Sequence, residues 1–153
     1  MTNKGFIRVA AAVPQIRVAD VQYNADQVID IISDAAKKSI LLVSFPELTL
    51  TSVSCGDLYT NRLLLEKSEV ALQSILSKTK DDPVLFVVGL PILFNSSVLN
   101  VAAVCYRGDI VGLVPKSNKG AHPIFHAVSE HVEYEHLLCN QKVLLSPQAL
   151  FRT

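Results

Sequence analysis

Three short apolar runs, each stopped at or just beyond its end by a proline, constrain this chain most. Phe6 to Val13 (FIRVAAAV) ends at Pro14, Ile40 to Phe45 (ILLVSF) at Pro46, and Val84 to Leu90 (VLFVVGL) at Gly89 and Pro91. Runs of this length, closed by turn-forming residues, read as β-strands. The first two gaps between them carry helical spacing instead. After Asp20, an N-cap residue, Val21, Ala25, Val28, Ile29, Ile32 and Ala36 recur on one stripe up to Lys37 and Lys38, whose charges suit a helix C-terminus. From Asn61 to Lys78, Leu64, Leu65, Leu72, Ile75 and Leu76 do the same. Strand, helix, strand, helix, strand is the opening of an α/β fold. The third run is continuous rather than alternating, as in a strand covered on both faces or packed centrally.

Farther on, Val98 to Tyr106 and Ile110 to Val114 flank Arg107-Gly108-Asp109, a short connection that predicts a β-hairpin. The tripeptide also spells an adhesion motif, which the turn reading displaces. Ser117 to Ser129 reads as a loop or short helix. Val132 to Leu138 and Gln141 to Leu145 read as two further strands around Cys139-Asn140. There are no internal repeats, low-complexity tracts or linkers, and 153 residues suit one domain over residues 1–153.

Charge says little about partners, since Lys+Arg and Asp+Glu both number 14 and neither sign forms a block. Neither nucleic acid nor an anionic membrane is expected, and a small molecule or another protein is. The chain is half hydrophobic with a mean hydropathy of +0.34, which suits a mostly buried sheet or a subunit that hides surface in an interface. No apolar run approaches the roughly 18 to 20 residues of a membrane span, and the N-terminus has no signal-peptide core. Three well-separated cysteines, Cys55, Cys105 and Cys139, build neither a disulfide framework nor a zinc knuckle. A cytoplasmic protein with reduced thiols is the expectation.

Glu47 follows the second strand directly, at the strand end where α/β sheets place their ligand crevice, so it is a candidate general base. A cap or a surface ion pair is the competing reading. Lys116, at the exit of the strand ending Val114-Pro115, is a candidate oxyanion stabiliser on the same argument, against an ordinary solvated lysine. Cys55, eight residues after Glu47, is a candidate nucleophile, but no histidine stands near it in sequence and a structural thiol is the competing role. His122 and His126 have the i, i+4 spacing of a helical metal pair. Pro123 pushes His122 out of the α region, so a polar loop is expected and no metal site.

Several of these segments recur together in one known family. Phe45-Pro46-Glu47-Leu48, Cys55-Gly56-Asp57-Leu58, Val88-Gly89-Leu90-Pro91, Leu99-Asn100-Val101-Ala102-Ala103-Val104, Arg107-Gly108-Asp109-Ile110-Val111-Gly112 and Val114-Pro115-Lys116 occur in an order that resembles the carbon–nitrogen hydrolase (nitrilase) superfamily. The Cys55-Gly56-Asp57-Leu58 continuation is similar to the N-terminal glutaminase domain of glutamine-dependent NAD+ synthetases. The likeness runs from about Ile7 to Lys116.

The resemblance implies an α-β-β-α sandwich, here incomplete, whose subunits pair through their helical faces into a homo-oligomer. It implies a Glu-Lys-Cys triad with Glu47 as general base and Lys116 as oxyanion-stabilising cation, and it places Phe125 in the glutamine pocket. The family's nucleophilic cysteine lies on a later strand that none of Cys55, Cys105 or Cys139 matches. The expectation is therefore a chain truncated before that cysteine and inactive by itself. Glutamine would be the ligand, a separate synthetase domain the partner, and ATP and Mg2+ cofactors of that domain alone. A non-catalytic assembly protein and another amidase or nitrilase are the alternatives. Two departures accompany the match: Ser52-Val53 stand where the family usually has Gly-Tyr, and the family's second glutamate falls on Ala127.

Overall fold

A computed structural model describes residues 5–118, 123–129, 131 and 133–151. One seven-stranded mixed sheet carries two helices. In chain order the elements are β1 (Val9–Ala11), α1 (Val21–Lys37), β2 (Leu42–Ser44), a 3₁₀ turn (Gly56–Thr60), α2 (Arg62–Lys78), β3 (Leu85–Phe94), β4 (Ser97–Tyr106), β5 (Asp109–Pro115), β6 (Tyr134–Leu138) and β7 (Gln141–Leu145). The strands lie side by side in the order β1-β2-β3-β4-β5-β7-β6. β1, β2 and β3 are parallel and joined through the helices, whereas β3 to β5 form an antiparallel meander. The α/β class expected from the sequence is the class observed, with one helical layer on one sheet among the described residues.

Local chemistry explains the elements. Asp20 caps α1 by accepting the Tyr23 N–H, and Asn61 caps α2 by accepting the Leu63 N–H. The three hairpins turn on Asn95-Ser96, Arg107-Gly108 and Cys139-Asn140, each pair with positive φ at both residues. That backbone twist matches the twist of the flanking strands in a two-residue hairpin.

Several strand boundaries differ from expectation. Phe6 and Ile7 are largely exposed and only Val9–Ala11 pair. The second run pairs only over Leu42–Ser44. The third strand does not stop at Gly89-Pro91 but continues to Phe94, with Pro91 opposite Asn100. β2 accompanies β3 only as far as Val87, so beyond it one edge of β3 has no neighbouring strand to which Pro91 would owe a hydrogen bond.

The core lies between sheet and helices. Phe86, Val88, Leu90 and Ile92 of β3 pair with Cys105, Ala103, Val101 and Leu99 of β4, and all eight are buried. They share one face of the sheet, as alternate residues must. Val28 and Ile32 of α1 and Leu72 and Ile75 of α2 are fully buried in the same cluster. Val87, Ala102 and Val114 point the other way and are only partly buried. The candidate residues lie on that second face.

Candidate functional site

Pro46 ends β2, and the chain turns over the second face of β3. Leu48 there has a φ of 52°, and the Leu50 N–H donates to the Gly89 carbonyl at 3.2 Å. The crossing is close enough that a Cβ on Gly89 would stand 2.4 Å from the Leu48 nitrogen and 2.9 Å from the Pro46 oxygen. Glycine is therefore required at position 89 by approach rather than by φ. This contact holds Glu47 at the sheet surface.

Lys116 arrives from another direction. The register of β4 and β5 pairs Val101 with Pro115, and the Lys116 N–H then donates to the Asn100 carbonyl at 2.9 Å. Its ammonium reaches Glu47 Oε1 at 2.7 Å across 69 positions of sequence. Asn100, buried on β4, donates its side-chain Nδ2 to the same oxygen. Around the three groups lies a concavity of about 370 Å³, floored by Val87, Gly89, Ala102 and Val114 and walled by Phe45, Pro46 and Pro115. A concavity of that volume falls in the range of small-molecule sites.

The electrostatics follow from these contacts. The Lys116 hydrogen bond holds the Glu47 carboxyl below its ordinary range; partial burial opposes this, and the Asn100 bond and the Lys116 charge add smaller lowering contributions. Glu47 is thus an ionised proton acceptor at neutral pH. The two side chains are 48% and 41% exposed, so the pair adds little to stability. Its significance is chemical: a carboxylate able to take a proton beside an ammonium able to neutralise a developing oxyanion.

Sequence reasoning picked out Glu47 and Lys116, and the fold brings them together. It missed any role for Asn100 and Gly89, although both left a signal. Asn100 is the lone polar side chain inside the apolar run Val98 to Tyr106, and Gly89 interrupts a strand interior. Phe125 is not among the residues lining the concavity. Its ring packs on Tyr59 at 4.7 Å between centroids, and the backbone beside it bridges to Val98.

None of the three thiols lines the concavity either. Cys55 is buried and donates through Sγ to the Thr51 carbonyl at 2.9 Å, and burial pushes its pKa up. Cys105 faces the helices from β4, and burial raises its pKa strongly. Cys139, in the β6–β7 turn, is pushed up to about 12 by burial and by the nearby Glu69 carboxylate. Buried, protonated thiols are poor nucleophiles. All three should therefore react with a water-soluble disulfide reagent at least about 100-fold more slowly in the native protein than in urea. Absorbance of the released thiolate measures this, and one rapidly reacting native thiol would reverse the assignment.

The described residues contain no group of three or more His, Cys, Asp or Glu side chains able to hold a metal. His126 instead uses its backbone N–H on the Val98 carbonyl, and His122, the other member of the spaced pair, lies outside the described residues. No described helix is long and apolar enough to cross a membrane.

Known proteins are similar to the chain in sequence and in fold. No protein-family model matches the chain. A glutamine-dependent NAD(+) synthetase from Mycobacterium tuberculosis is 35% identical over 113 residues, 74% of this chain and 17% of that protein. The Aquifex aeolicus protein of the same name is 31% identical over 99 residues, 65% of this chain and again 17% of the relative. This chain thus spans under a fifth of the length of these relatives. Among solved structures, a glutamine-dependent NAD(+) synthetase from Cytophaga hutchinsonii superposes with a TM-score of 0.86 at 21% identity, covering 96% of this chain and 26% of that one. An amidase from Nesterenkonia sp. AN1, with an acetamide moiety added covalently to its active-site cysteine, superposes with a TM-score of 0.70 at 16% identity, covering 95% and 57%. At these identities the superpositions establish the fold.

Proposed function

Because the chain belongs to the nitrilase superfamily and is homologous to the N-terminal part of glutamine-dependent NAD(+) synthetases, we propose that its concavity is the base-and-cation half of a glutamine-hydrolysing site that supplies ammonia. The observation that carries this reading is the Glu47–Lys116 contact across the mouth of the concavity, with both residues in the motifs expected of the family.

The chemistry divides into two halves. Glu47 takes the proton of a cysteine thiol, and the thiolate adds to the carboxamide carbon of glutamine. Lys116 neutralises the tetrahedral oxyanion. Collapse breaks the C–N bond, and the proton held by Glu47 leaves on the departing ammonia. A water molecule, deprotonated by Glu47, then cleaves the thioester to glutamate and restores the thiol. Buried as they are, Cys55, Cys105 and Cys139 are not assigned that role. The covalently modified cysteine of the Nesterenkonia amidase supports thiol chemistry on this fold.

A synthetase domain using ATP and Mg2+ would consume the ammonia. No step at Glu47 or Lys116 is routed through either cofactor. Self-association through the helical face, a cytoplasmic location and a place for Phe125 in the glutamine pocket complete the proposal. The burial of all three thiols also favours a second reading, in which the chain serves assembly without turnover.

The test replaces the homologous segment of the Mycobacterium tuberculosis enzyme with this chain and measures NAD+ formation from glutamine and from added ammonia. Glutamine-driven formation is expected, falling at least about 100-fold on Glu47→Gln while ammonia-driven formation persists. Ammonia-driven formation without any glutamine-driven formation would count against the reading. Glutamine hydrolysis by the isolated chain would overturn the exclusion of its three buried thiols.

A further inference from the structure

Asn100 occupies an unusual position between the two charged residues. Its backbone carbonyl accepts the Lys116 N–H at 2.9 Å, and its side-chain Nδ2 donates to Glu47. One residue of β4 thus fixes the start of the lysine and the end of the glutamate. Asn100 is 5% exposed and stands opposite Pro91 on β3, so its side chain is held by the sheet rather than by solvent.

Both bonds to the carboxylate land on Oε1. Among the described residues no hydrogen bond falls on Oε2. An oxygen that already accepts an ammonium and an amide proton is the poorer base of the two. The amide orientation follows from the same contact, since turning Oδ1 towards a carboxylate would set two acceptors against each other.

We propose that Asn100 is a positioning residue, which together with Lys116 locks Glu47 through Oε1 and so makes Oε2 the oxygen that receives the proton. Lys116 alone, on a flexible four-carbon stem, would let the carboxylate rotate and exchange its oxygens. A buried asparagine rising from a strand removes that freedom. The proposal rests on Glu47 being the base, and it assigns the orientation from which the base acts.

The first measurement uses the isolated chain. The Glu47 carboxyl carbon and the Asn100 side-chain amide protons are followed by NMR from pH 7 down to pH 2. The amide protons are expected to move with the same midpoint as the carboxyl. Asn100→Leu, which keeps the volume and the backbone carbonyl but removes the donor, is expected to raise that midpoint by about half a unit. Asn100 amide protons that do not follow the Glu47 titration would overturn the positioning role, and this arm needs no variant to fold.

The second measurement uses the chimaeric synthetase. Asn100→Leu should lower kcat for glutamine about 10-fold or more with little change in KM and with the acid limb of the pH profile moved upward. An unchanged kcat in Asn100→Leu alongside a large loss in Glu47→Gln would also overturn the proposal. Co-titration together with an unaffected Glu47→Gln enzyme would instead overturn the base reading on which it rests.

Discussion

Replacing Gly89 with alanine is expected to destabilise the fold by about 3 kcal/mol and to displace Glu47 from Lys116. The added Cβ would stand 2.4 Å from the Leu48 nitrogen, 2.9 Å from the Pro46 oxygen and 3.0 Å from the Glu47 carbonyl carbon. All three are backbone atoms, so no side chain can rotate away to make room. Either β3 moves, which the buried pairs Val88–Ala103 and Leu90–Val101 on both sides of position 89 resist, or the 46–48 segment lifts from the sheet. The second course is easier because that segment borders an open concavity. Urea unfolding measures the loss in stability, and NMR titration of Glu47 measures the loss of its cationic partner. Glu47 in this variant should titrate nearer an ordinary glutamate. Gly89→Ala with native stability and a native Glu47 titration would show that the loop does not press on the strand.

The other large effect is expected at Asn24, a fully buried polar residue on α1. Its Oδ1 accepts the Arg17 N–H at 2.7 Å, and its Nδ2 donates to the Arg17 carbonyl at 2.8 Å and to the Leu50 carbonyl at 3.0 Å. The helix thereby ties down both the connection entering it and the loop that follows Glu47. Asn24→Leu leaves the Arg17 N–H and the buried Leu50 carbonyl without partners, while the Arg17 carbonyl keeps the Asp20 N–H, and should cost about 3 kcal/mol. Gln22→Ala on the exposed side of the same helix is the control, with an expected change within about 0.5 kcal/mol. Urea midpoints for both variants decide the matter, and an Asn24→Leu protein as stable as the control would mean that water or a loop movement satisfies the two groups.

Much of the fold was legible because it rests on local rules. The two helices announce themselves through apolar spacing, and the first also through Asp20, whose side chain does cap it. The Arg107-Gly108 turn is written in a glycine that takes positive φ. Strand ends were less legible. Pro91 reads locally as a terminator, yet it is tolerated inside β3 because the partner on one side has already ended. Phe6 and Ile7 look like strand residues, but pairing, unlike apolar character, depends on a neighbour that begins only at Leu42.

For the site, motif order singled out Glu47 and Lys116, while Cys55 shows how position in sequence misleads. It lies eight residues from Glu47 and points instead into the core, bonded to Thr51. Lys116 lies 69 residues away and touches the carboxylate.

By itself the sequence determined the α/β class, the helices and the cap of the first, and the identity of the charged pair, because periodicity, capping chemistry and motif order are legible along the chain. Only the tertiary structure decided that Asn100 joins the pair, that Gly89 must remain glycine and that all three thiols are buried. Those outcomes depend on which residues meet across the sheet. The register that sets Asn100 between Pro91 and Lys116, and the turn that carries Glu47 over Gly89, exist only once β2, β3, β4 and β5 lie side by side.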